Sequence, residues 1–249
     1  MEQAWQRDCC ELLEQTPPDT QLLSLSSPNS QCRDCGAAIK PWHNVPVLSY
    51  VFLRGYCAGC GASISSRYPI IELCTALLSF SAAMVFGPTL QLAGALLLIW
   101  SLIVLTGIDI DTQLLPDSIT LPLLWLGLLL NINSAFTSLN DAVVGAAAGY
   151  LTLWSVYWIF KLTTGKDGMG FGDFKLLAAL GAWFGWQTIP LIIIVSSFVG
   201  AFIGILLILL KKQGREVPMP FGPYLAGAGL ITLFFGDRLT AAYFSFIGL

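Results

Sequence analysis

From about residue 69 to the C-terminal region the chain is a succession of apolar stretches with few charges between them. They fall at roughly 69–87, 91–108, 118–133, 141–161, 174–188, 190–210 and 221–236, followed by a short amphipathic tail. A helix rises 1.5 Å per residue, so about 20 apolar residues cross a bilayer core about 30 Å thick. Open strand edges cannot be satisfied in hydrocarbon, so these stretches are read as helices. Hydrophobic residues make up 55% of the 249 and charged residues 11%, whereas soluble domains are nearer a quarter charged. The solvent for most of the chain is lipid. The expected fold is an all-α polytopic membrane protein: about seven transmembrane helices over 68–249, preceded by a small cysteine-bearing region over 1–67. A net charge of -3 and the lack of a basic run argue against nucleic acid as a partner. The opening MEQAWQRDCCELLEQ has no apolar core, so insertion is expected to use an internal segment as its signal.

Seven crossings make a test of topology. Counted alternately, one face receives Arg7, Arg33, Lys40, Arg54, Arg67, Lys161, Lys166, Lys175, Lys211, Lys212 and Arg215, and the other only Arg238. Basic residues mark the cytoplasmic side. The cysteine region is therefore expected in the cytoplasm.

Cys32 and Cys35, then Cys57 and Cys60, form C-x2-C pairs. Four thiolates about 2.3 Å from a central ion make a closed tetrahedral zinc site, structural because no position is open for water. Gly36 and Gly61, directly after each pair, are expected to relieve the tight knuckle turns. Four free thiols or two reversible disulfides are the alternative. Cys9, Cys10 and Cys74 have no partner spacing and read as plain thiols.

Carboxylates beside hydrocarbon are costly and usually serve a site. Asp109, Asp111 and Asp117 follow the second apolar stretch, and Asp173 closes KDGMGFGD at the start of the fifth. Two carboxylates brought together share one proton, so one acts as base and its partner as acid, the arrangement of aspartic proteases. The single histidine, His43, lies in the polar region, which argues against a serine triad in the membrane. Gly168, Gly170 and Gly172 alternate before Asp173, and a bare backbone there can receive a substrate backbone as an added strand. Lys175 either tunes Asp173 or anchors its helix; Glu72 either pairs with a base or touches substrate. The tryptophans and tyrosines, Trp183, Trp186, Tyr150 and Tyr224 among them, read as interfacial anchors. A proton-relaying transporter would place its acids near mid-membrane, whereas these cluster at one edge.

The strings GIDIDTQLLPDSITLPLLWLG, GMGFGDFKLL and PFGPYLAGAG, with CRDCGAAIKPWHNVPVLSYVFLRGYCAGCGASISSRYPIIE upstream, resemble the type IV prepilin peptidases. These are bifunctional leader peptidase/N-methyltransferases among the intramembrane GxGD aspartyl proteases. The resemblance implies that Asp109 and Asp173 form the catalytic pair, with Gly170 and Gly172 beside the substrate. It places Gly55 in a stretch associated with methyl transfer. It implies cleavage of type IV prepilins or type II secretion pseudopilins after a glycine, and methylation of the new N-terminus with S-adenosylmethionine. Family members usually begin with a further hydrophobic helix. Its lack here is expected to reflect a late start or a truncated copy, and a non-catalytic remnant or assembly partner is the alternative function.

Overall fold

The structure, a computed structural model, describes residues 30–32, 34–166, 168–211 and 220–247. The expectations placed on Arg7, Cys9, Cys10, Arg33, Lys212 and Arg215 lie outside the described residues. The chain forms two compact units, the first ending at Leu73 and the second spanning Cys74–Leu249.

The first unit is built from turns. Antiparallel bridges Gln31 with Ala38 and Tyr56 with Ser63 close two similar knuckles. Between them lie a 3-10 turn, Pro41–Asn44, and the short helix α1, Leu48–Phe52. Glu72 settles into a backbone role: its carboxylate accepts the Val47 N–H at 2.7 Å, just ahead of α1. The helix α2 (Arg67–Phe86) carries the chain into the second unit.

The second unit is all helix among the described residues: α3 (Leu90–Thr112), α4 (Asp117–Asn131), α5 (Leu139–Thr164), α6 (Phe171–Phe184), α7 (Ile189–Lys211) and α8 (Gly222–Ile247). Every expected apolar stretch is a helix. Among the described residues, five segments are long and apolar enough to cross a membrane: α2, α3, α5, Trp186–Leu207 and the first 21 residues of α8. The other two stretches of the expected seven form α4 and α6, of 15 and 14 residues. At 1.5 Å per residue these reach only about 21–22 Å. The tail expected after residue 236 continues α8 as one helix.

The ends follow ordinary capping chemistry. Thr89 Oγ1 accepts the Leu92 N–H at the start of α3. Ser138 and Asp141 cap α5 reciprocally, with Asp141 N–H donating to Ser138 Oγ and the hydroxyl donating back to the carboxylate. Gly185, at φ 84°, stops α6 and turns the chain into the 3-10 segment that leads to α7.

Lipid offers no hydrophobic drive between helices, so close backbone packing must hold the bundle together. The α5 string Gly145-Ala-Ala-Ala-Gly149 supplies it. A Cβ on Gly145 would lie 2.4 Å from the Gly181 carbonyl oxygen, and one on Gly149 2.6 Å from that of Leu177. Both residues face α6 at backbone distance. Gly145→Val is therefore expected to lower stability by at least about 3 kcal/mol, the upper range for overpacking a rigid contact. Unfolding of the detergent-solubilised chain would show this, and an unchanged midpoint would contradict the packing.

At the far ends of α4 and α6, fully buried Asn131 donates to the Ala182 and Trp183 carbonyls and accepts the Phe136 and Thr137 amides. Trp183 is not an interfacial anchor. It is fully buried, lies over Gly127, and donates its indole N–H to the Leu123 carbonyl at 2.8 Å. Gly127 leaves the ring-sized gap that draws it inward. Trp186, in contrast, is half-exposed and donates to Asp141.

Candidate active site

The acidic cluster divides by burial. Asp109 and Asp173 are 4% and 8% exposed, whereas Asp111 and Asp117 are exposed. The division follows from where the helices end. α3 does not stop at residue 108: it runs to Thr112, and Gln113 closes it in the left-handed conformation, φ 56°, with its N–H on the Asp109 carbonyl. Asp109 thus lies in the last turn of a buried helix, four residues before the chain escapes. Asp173 is likewise not in the preceding loop but in the first turn of α6, whose N-cap is Gly170.

The two turns meet around Leu115, a buried residue of the short 113–116 connection. A Cβ on Gly172 would lie 2.8 Å from Leu115 Cβ, and a Cβ on Gly222 would lie 3.2 Å from Leu115 Cδ1. Gly222 opens α8, and its N–H donates to Asp109 Oδ2 at 2.9 Å. The Asp109 and Asp173 carboxyls lie within electrostatic reach of one another. The start of α6 is fixed from its other side by aromatic rings, with Phe171 and Phe174 against Tyr157 of α5 at centroid separations of 5.3 and 5.8 Å. Chemically, this is a pair of buried carboxyls brought to helix ends from positions 64 residues apart (173 − 109), with one backbone donor aimed at one of them.

The glycine strip is narrower than its sequence suggests. Gly168 packs against the Phe160 ring, Gly172 packs against Leu115, and only Gly170 has open space around it. Lys175 faces away from the pair, its Nζ 2.6 and 2.7 Å from the two oxygens of Asp117. It ties the start of α4 to that of α6.

In the first unit the four cysteine Sγ atoms lie within 4.8 Å of one another. The knuckles are nearly superimposable in their bonding. Cys32 and Cys57 donate N–H to the Ala37 and Ala62 carbonyls, and Gly36 and Gly61 donate back to the Cys32 and Cys57 carbonyls. Gly36 and Gly61 have φ of 67° and 71°, the left-handed region that a tight turn requires. Cys32 Sγ and Cys60 Sγ are 3.9 Å apart, far too long for a disulfide. The edge of a tetrahedron with metal–sulfur bonds of about 2.3 Å is about 3.8 Å. The Gly59 amide donates to Cys57 Sγ at 3.4 Å, a hydrogen bond that favours the thiolate a metal needs. The donor set fits a closed tetrahedral ion. Gly55, also left-handed at φ 78°, lies with the Tyr50 ring where its Cβ would be and accepts the Ile64 N–H.

Sequence reasoning passed over Gly222 and Leu115. For Gly222 a signal existed in Pro220-Phe221-Gly222-Pro223: proline just inside an apolar helix marks a terminus with free amides. Nothing in the sequence singles out Leu115.

The fold is that of an integral membrane protein with two buried carboxyls, Asp109 and Asp173, at adjoining helix ends. Residues 96–205 match the type IV leader peptidase family, and residues 10–86 match the bacterial peptidase A24 N-terminal domain. The prepilin leader peptidase/N-methyltransferase of Pseudomonas aeruginosa is 52% identical over the whole chain, which covers 86% of that relative. The protein of the same description from Aeromonas hydrophila is 57% identical over 90% of the chain and 78% of its own length. That from Legionella pneumophila is 44% identical over 99% and 86%. No solved structure matches. The chain belongs to the type IV leader peptidase family.

Proposed function

We propose that the chain is a membrane-embedded aspartyl peptidase that removes the leader from type IV prepilins and pseudopilins and then N-methylates the new N-terminus. The observation that carries the proposal is the pairing of buried Asp109 and Asp173 at adjoining helix ends in a chain whose relatives are prepilin leader peptidase/N-methyltransferases. One carboxyl takes a proton from water while the other gives one to the scissile carbonyl oxygen. The new C–O bond forms, the C–N bond breaks, and the amine leaves protonated. Open Gly170 is the point where an extended substrate backbone can lie beside Asp173.

The cysteine region, residues 1–67 in this division, holds zinc through Cys32, Cys35, Cys57 and Cys60. A four-thiolate ion supplies folding energy and no chemistry. The methyl donor, S-adenosylmethionine, is proposed from the relatives' description, and no residue beyond the Gly55 stretch is assigned to it. The excess of basic residues on one set of loops favours a cytoplasmic cysteine region and cleavage at the cytoplasmic face of the inner membrane. The non-catalytic alternative has against it that both carboxyls are present and buried together.

The test is direct. Purified chain in liposomes is mixed with a prepilin and S-adenosylmethionine, and the product N-terminus is read by mass spectrometry. Loss of the leader with gain of one methyl group is expected. An intact precursor under conditions where a relative cleaves it would sink the proposal.

A further inference from the structure

We infer that the Gly222 amide at the start of α8 is a third part of the hydrolytic centre, a positioning group that holds Asp109 as the ionised base and leaves Asp173 to act as the acid. The inference rests on Asp109 and Asp173 being the hydrolytic pair, and it adds which of them does what, and why.

Two carboxyls sharing a proton are equivalent unless the surroundings distinguish them. Here they do. Gly222 N–H reaches Asp109 Oδ2 at 2.9 Å in a buried setting, and a hydrogen bond to a carboxylate favours its charged form. The donor belongs to the first turn of α8, where amides lack intrahelical acceptors and the helix end is positive. Asp173 sits in the first turn of its own helix, yet its carboxyl accepts no hydrogen bond among the described residues. Among the described residues, Lys175 is engaged by Asp117.

The second observation concerns space. Gly222 is not in the left-handed region, so its backbone does not call for glycine. A Cβ there would lie 2.6 Å from Asp109 Oδ2 and 3.1 Å from its Cγ. Glycine is needed because the carboxylate occupies that volume. Asp109 Oδ1 is left to receive the proton of the attacking water. As the oxygen–carbon bond forms, the Asp173 proton passes to the carbonyl oxygen. When the carbon–nitrogen bond breaks, the amine takes the proton that Asp109 held, and one hydroxyl of the tetrahedral adduct returns its proton to Asp173 as the new carboxyl forms.

The test compares Gly222→Ala with Gly227→Ala in the full chain. Gly227 lies in the same helix, and a Cβ there meets nothing within 4 Å. Gly222→Ala is expected to lower kcat for leader cleavage about 100-fold, the scale of a 1 Å misplacement of a reacting group. KM, bound metal and unfolding midpoint should stay at parental values, and Gly227→Ala should match the parent throughout. A Gly222→Ala kcat close to the parent's, or a loss confined to KM, overturns the inference. A second measurement leaves position 222 untouched. In isotope-edited infrared spectra at neutral pH, Asp109→Asn should remove a carboxylate band and Asp173→Asn a carboxylic acid band; the reverse assignment overturns the inference even if Gly222→Ala fails to fold. Cleavage retained in both aspartate variants would instead refute the hydrolytic pair itself.

Discussion

Asp173→Asn is expected to lower leader cleavage about 10^4-fold, the upper end of what one proton-transferring side chain supplies, without loss of the folded protein. Asparagine keeps the shape of the side chain and its place in the first turn of α6, but it cannot give up a proton to the scissile carbonyl. Stability should hold, because a protonated carboxyl and a neutral amide of the same shape carry similar desolvation costs. Expression level, unfolding midpoint and metal content therefore serve as internal controls for the cleavage time course. The exposed aspartates give the contrast: Asp111→Asn should cost far less, since its side chain reaches solvent. A residual rate for Asp173→Asn within tenfold of the parent would take Asp173 out of the pair.

Cys32→Ser should produce the second large change, of a different kind. The first unit has no apolar core among the described residues beyond the turns around its knuckles, and the buried hydrophobic cluster begins at Ala82. On the proposed zinc reading, the ion held by the four cysteines takes the place of that core. Structural zinc contributes roughly 10–16 kcal/mol to small domains of this sort, and losing one of four ligands forfeits much of that. Bound zinc, measured by elemental analysis, is expected to fall from about one per chain to a small fraction. Proteolysis within residues 30–66 should quicken, and methylation should suffer more than leader cleavage. Zinc content equal to the parent's would refute the site.

Much of this molecule was legible in its sequence because lipid simplifies the reading. A helix surrounded by hydrocarbon must be apolar along its length, so the helices announced themselves as runs. The knuckle glycines were legible for a local reason: a turn that brings two sulfurs together leaves the following residue at positive φ. What the runs could not disclose was depth. Trp183 and Trp186 look alike in sequence, yet one fills the gap over Gly127 and the other reaches the surface. The two buried aspartates differ from Asp111 and Asp117 only by where α3 ends and α6 begins, shifts of a few residues. The contacts that finish the site, Gly222 on Asp109 and Leu115 on Gly172, join positions far apart along the chain and leave no periodic trace.

The brevity of α4 and α6 has a consequence for the reach of water. Helices of about 21–22 Å stop short of the boundary of a hydrocarbon core about 30 Å thick, and α6 is shielded from lipid by its neighbours along most of its length. Carboxyls at the ends of such short helices would sit within reach of water drawn in from the interface, which hydrogen–deuterium exchange at residues 109–116 and 170–175 would reveal as fast exchange. A helical precursor drifting in the same leaflet would find, at that spot, both the water needed to cut it and a polar surround in which its first turn can unwind.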